Sequence, residues 1–96
     1  VTPDQAISFL ERALGAMNGA TVAAYIVRDD ALRWFVQATN LDQGLACYSD
    51  DSASGATLAD ATRAAVTGVV GQLGGGAYPE LSDLYAEGVL LLLAVP

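Results

Sequence analysis

The chain predicts a small α+β domain in the order helix, β-hairpin, helix, β-hairpin, with the helices packed on an antiparallel sheet. Three observations predict it. Apolar residues recur at three and four over residues 7–17, a β-branched run and then an alternating one span residues 21–39, and a second helical segment after Thr57 closes on three glycines. With 96 residues, the sequence has room for one domain, 1–96.

Thr2-Pro3-Asp4-Gln5 opens the first helix. Thr2 can cap, Pro3 sits where its missing N–H costs nothing, and Gln5 completes a capping box. Ile7, Leu10, Ala13, Leu14 and Met17 form its apolar stripe, and Asn18-Gly19 ends it with residues that tolerate positive φ. Residues 21–28 are nearly all apolar or β-branched, the pattern of a central strand covered on both faces. Asp29-Asp30 makes a turn. Residues 32–39 then alternate, with Leu32, Trp34, Val36 and Ala38 on one face and Arg33, Phe35, Gln37 and Thr39 on the other. Residues 41–49 fit either a short strand or a loop, and residues 50–56 are small and polar, hence a loop.

Thr57 caps the second helix, which runs to about Leu73 with Leu58, Val66, Val69 and Leu73 inward. Beside that stripe lies a face of small residues: Ala61, Ala64, Ala65 and Gly68. Glycines inside a helix cost about 1 kcal/mol each relative to alanine. Such a face gains most from close packing, either on the chain's own sheet or on a helix across a dimer. Gly74-Gly75-Gly76 stops the helix. A second hairpin follows: residues 79–86 as a strand, Glu87-Gly88 as its turn, and residues 89–95 as a buried strand.

Composition narrows the function. Apolar residues make up 53% of the chain, above the roughly 45–50% of ordinary domains. A domain of this size buries only about two-thirds of its unfolded surface, so a partner is expected to cover some of the excess. Eleven acidic residues stand against four arginines, for a net charge of −7. That balance repels phosphate backbones and anionic membrane surfaces, and Arg12, Arg28, Arg33 and Arg63 form no basic stripe. Neither nucleic acid nor membrane is therefore an expected partner. The apolar run 89–95 is too short to span a bilayer, no signal peptide is apparent, and a cytoplasmic location is expected.

Catalytic and cofactor chemistry finds little to work with. The chain has no histidine and one cysteine, Cys47, whose neighbours suggest a buried small hydrophobe. Triads of the Ser-His-Asp kind and thiolate or imidazole zinc sites are thereby excluded. Asp29-Asp30 and Asp50-Asp51 lack the spaced oxygen ligands of a calcium loop. The glycines at 68, 71 and 74–76 close a helix instead of opening one, so they do not form a phosphate loop. No enzymatic activity, cofactor or metal is expected. Trp34 and Phe35 point to opposite faces of their strand, so one of them must meet a second layer, a ligand or a partner.

The chain resembles the roadblock/LC7 domain family of small regulators associated with Ras-like GTPases and dynein. The resemblance lies in Ile7-x-x-Leu10 before Gly19-Ala20-Thr21-Val22-Ala23, in the Leu73-Gly74-Gly75-Gly76 helix ending, and in Glu87-Gly88-Val89-Leu90-Leu91. It covers nearly the whole chain as a pattern, without a signature motif. Asp29-Asp30 stands where the family has an Asp-Gly turn, and the family's further strand and terminal helix lack a counterpart before Pro96. The resemblance implies a roadblock/profilin-like fold and a homodimer or heterodimer joined through the second helices and neighbouring edge strands. It also implies a non-enzymatic adaptor role toward a Ras-like small GTPase. Ala61, Ala64, Ala65 and Gly68 fit such a dimer contact. A second reading is a small sensory module of GAF or PAS type, binding a small ligand in a pocket lined by Tyr25, Trp34, Phe35 or Cys47.

Overall fold

The computed structural model describes residues 2–41 and 53–94 and the backbone of 46–49. The side chain of Cys47, the Asp50-Asp51 pair and the last two residues lie outside the described residues.

Helix α1 (Pro3–Asn18) begins with the expected capping box. Gln5 N–H donates to Thr2 Oγ1 at 3.2 Å and Thr2 N–H donates to Gln5 Oε1 at 3.1 Å, so two orphan donors are satisfied reciprocally. The helix stops at Gly19, whose φ of 65° lies in the left-handed region. Ala6, Phe9, Leu10 and Ala13 are buried, and Ile7, Leu14 and Met17 flank them.

Strands β1 (Val22–Arg28) and β2 (Trp34–Asn40) form the predicted hairpin, in register from Val22 opposite Asn40 to Arg28 opposite Trp34. Within the segment 41–49 that sequence left open, a short strand β3 (Ala46–Ser49) pairs antiparallel with β2, and residues 42–45 lie outside the described residues. Among the described residues, the strand order β1-β2-β3 makes β2 central and β1 an edge. The expectation that β1 is covered on both faces is therefore corrected. Its apolar continuity is one-sided in use: Val22 and Ala24 are buried, while Tyr25 is 42% exposed.

Leu32 belongs to the turn, not to the strand pattern expected for it. Leu32 N–H donates to Asp29 O and Asp29 N–H donates to Arg33 O, both at 3.0 Å. Leu32 itself has φ 61° and is 62% exposed. A left-handed conformation at a residue with a side chain costs about 1 kcal/mol or more, which glycine avoids. Leu32→Gly is accordingly expected to stabilise the protein by about 1 kcal/mol in denaturant titration. The turn is held despite its strain, because the Asp29 carboxylate accepts bonds from Arg33 N–H at 2.9 Å, Nε at 3.0 Å and Nη2 at 2.8 Å.

Helix α2 (Leu58–Leu73) starts at Thr57, whose Oγ1 accepts from Asp60 N–H at 3.1 Å, and ends at Gly74 as expected. The segment before it is tied to the sheet through Trp34 and Gly55, which exchange two backbone bonds of 3.0 Å.

The second hairpin does not form. Pro79–Leu81 is a 3-10 turn and Ser82–Leu93 is a third helix, α3. The observed order is thus helix, three strands, helix, helix: an α+β domain, without the final hairpin of the expected arrangement. The physical reason lies in the residues. The run is rich in leucine and alanine, which favour helix over strand, and Pro79 fits a first helical position. Leu81, Leu84, Gly88, Leu91 and Leu92 recur at helical spacing and turn inward.

Gly88, expected in a turn, is the point where α3 lies against the other helices. It is buried, and a Cβ placed there would collide with Val70 Cγ2 and lie 2.7 Å from Phe9 Cζ. Helices α1 and α2 cover one face of the sheet, and α3 packs on α1 and α2 from the far side. The core between them contains Phe9, Leu10, Val22, Val36, Val66 and Val69.

Candidate functional site: the outer face of helix α2

Helix α2 divides its surface sharply. Ala61, Thr62, Ala65, Val66, Val69 and Leu73 are buried. Thr62 is the polar member of that group, and its hydroxyl is satisfied by the carbonyls of Leu58 and Ala59 at 3.0 Å. The opposite side is a shallow groove lined by Asp60, Arg63, Ala64, Thr67 and Gly68. Gly71 continues the same strip, exposed, and a Cβ there would meet nothing within 4 Å beyond its chain neighbours and the nearby backbone of its own helix.

The four small residues expected to meet a partner are therefore separated by the fold. Ala61 and Ala65 are packed into the chain's own interior, whereas Ala64 and Gly68 stand half-exposed in the groove. Sequence reasoning missed Asp60, Arg63 and Thr67, which frame the groove. Their signal was the spacing 60, 63/64, 67/68, 71, one continuous strip at helical period. The strip is shallow because its side chains are small, and it carries one acid and one base on adjacent turns.

Other polar groups are engaged structurally. Arg12 of α1 and Glu87 of α3 form a two-pronged ion pair, with Nη1 to Oε2 at 2.8 Å and a second bond from Nη2 to Oε1. The bond from Arg12 holds the Glu87 carboxyl below the usual carboxylate range, and the same bond raises Arg12. The Asp29 carboxyl is likewise lowered, first by the backbone N–H of Arg33 and then by its side chain. Asp29 is thus committed to its turn, not paired with Asp30 in a reactive site. At the same end of the hairpin, Arg28 lies 5.0 Å over the Trp34 ring and Arg33 lies 5.4 Å over Phe35.

The residues considered for a ligand pocket are divided by the sheet. Tyr25 and Phe35 sit on the face away from the helices, and Trp34 sits on the other. Among the described residues, no group of three or more His, Cys, Asp or Glu could hold a metal ion. No helix among them is long and apolar enough to cross a membrane. Compared with protein-family models, curated proteins and solved structures, the chain matches none.

Proposed function

We propose that the protein is a non-enzymatic, protein-binding adaptor that self-associates, with the outer strip of α2 as a contact between copies. The observation that carries this reading is the strip Ala64–Gly68–Gly71, whose own side chains are no larger than a methyl and which lines and continues the groove. Small residues at i, i+4 and i+7 allow helices to approach closely. The flanking Asp60 and Arg63 give the strip both signs of charge, so an antiparallel copy of the same helix can meet it without like-charge repulsion. A Ras-like small GTPase is the partner class implied by the sequence resemblance, and such a partner would be sought with the dimer in hand.

Gly68→Leu tests the reading. The substitution places a large side chain in the groove and is expected to weaken self-association about tenfold or more while leaving far-UV circular dichroism unchanged. Light scattering across a concentration series provides the measurement. A Gly68→Leu protein that associates as wild type does would rule out this strip as the contact.

A further inference from the structure

Strand β1 has β2 on one side, and no described element pairs with its other side. The phase of its hydrogen bonds is fixed at both ends of the hairpin, by Leu41 N–H to Thr21 O at 2.9 Å and Asp29 N–H to Arg33 O at 3.0 Å. In an antiparallel pair, residues that exchange bonds alternate with residues that do not. Ala23, Tyr25 and Val27 therefore bond to β2, and Ala24, Ile26 and Arg28 turn their backbone groups outward. One outward group is held from within the chain: Ala24 N–H donates to Glu11 Oε1 of α1 at 3.2 Å. From Val22 to Arg28 the strand has no proline, lysine or bulge to discourage pairing.

We infer that β1 pairs antiparallel with β1 of a second copy of this chain, about a two-fold axis at Ile26. That register sets Ala24 opposite Arg28 of the second copy, and the reverse. Arg28 projects on the helix-covered face, the face on which it stacks over Trp34 and from which Glu11 approaches. When the strands pair, the carbonyl of the second copy's Arg28 replaces Glu11 at the Ala24 N–H. The released carboxylate then stands beside the incoming guanidinium. On the open face, the exposed Tyr25 meets Val27 of the second copy, an aromatic and β-branched cross-strand pair. A register centred on Ala24 instead brings the two Glu11 carboxylates together, and one centred on Tyr25 sets Arg28 opposite Val22 instead of Ala24, so charge favours the first. This inference rests on β1 alone and is independent of the α2 strip, since α1 flanks β1 whereas α2 packs on β2.

The test is a charge exchange read by light scattering and by hydrogen exchange at the Ile26 amide. Arg28→Glu and Glu11→Arg each place like charges at both ends of the paired strands. Each is expected to weaken association about tenfold or more and to speed exchange at Ile26. The double variant, Glu11→Arg with Arg28→Glu, restores opposite charges and is expected to recover most of the lost association. Because it carries the same local losses as the single variants, recovery isolates the pairing from any effect on folding. Arg28→Gln provides a milder single change expected to fall between wild type and Arg28→Glu. Single variants that match wild type, a double variant no better than either single, or a wild-type chain that stays monomeric to about 1 mM would each overturn the inference. Loss of association in Gly68→Leu with no response to the charge variants would support the α2 contact and overturn this one. The opposite pattern would do the reverse.

Discussion

Replacing Phe9 with alanine is expected to destabilise the fold by about 3–5 kcal/mol, measured as a shift of the denaturant midpoint at constant slope. Phe9 is fully buried and is the largest side chain in that class. It faces α3 at Gly88 and belongs to the core shared by the helices and the sheet. Removing its ring takes away apolar burial and leaves a space bounded by helices whose positions are set by other contacts. Such a space collapses only in part, which is why the cost exceeds simple transfer from water. A domain of this size has total stability on the order of 5–15 kcal/mol, so the variant should lie near the edge of folding at room temperature.

The second large effect is expected at Gly88. Alanine in the middle of a helix is ordinarily favoured over glycine by about 1 kcal/mol. Here the added methyl meets Val70 and the Phe9 ring. Overpacking of this kind costs about 1–3 kcal/mol, so the steric cost outweighs the propensity gain and Gly88→Ala is expected to destabilise. Thermal unfolding followed by circular dichroism measures it. The two sites touch the same volume, so their effects should not add. In a Phe9→Ala background the methyl has room, and Gly88→Ala is expected to become neutral or stabilising. A simple sum of the two single effects would mean that Gly88 is not where α3 meets α1.

How far the sequence could be read depended on whether a feature's cause is local. Thr2, Gln5 and Gly19 bound α1 through contacts within a few residues, and all three act as their types suggest. The alternation of Val36 and Ala38 with Phe35 and Gln37 placed β2 correctly for the same reason. Whether β1 is central or an edge depends on what pairs beyond it, and nothing in residues 22–28 encodes that. Helix α3 was obscured by its own composition. Leu90 and Leu93 are 67% and 68% exposed, so apolar residues lie on its outward side as well as its inward side and the helical period is blurred. It also lacks a side-chain cap that would have marked its start.

The candidate site shows the same division. The small face of α2 was visible as composition. Successive helical residues are rotated by about 100°, so Ala61 and Ala65 fall with Val66 and Val69 while Ala64 and Gly68 fall with Asp60 and Arg63. The rotation that divides them is set by the sheet beneath, and composition alone does not carry it.

The pairing of α1 with α3 bears on how the chain is made. Arg12 and Glu87 are 75 positions apart, and Phe9 and Gly88 are similarly distant. A chain emerging from synthesis has its first helix and its hairpin long before α3 exists. Until then, the Phe9 ring lacks the backbone that covers it on one side, and the nascent domain presents an aromatic patch of the kind that holding chaperones bind. Closing so long a loop adds little entropic cost over closing one half as long, so the delay comes from the order of synthesis. Helix α3, made long after α1, is the element that shuts α1 in.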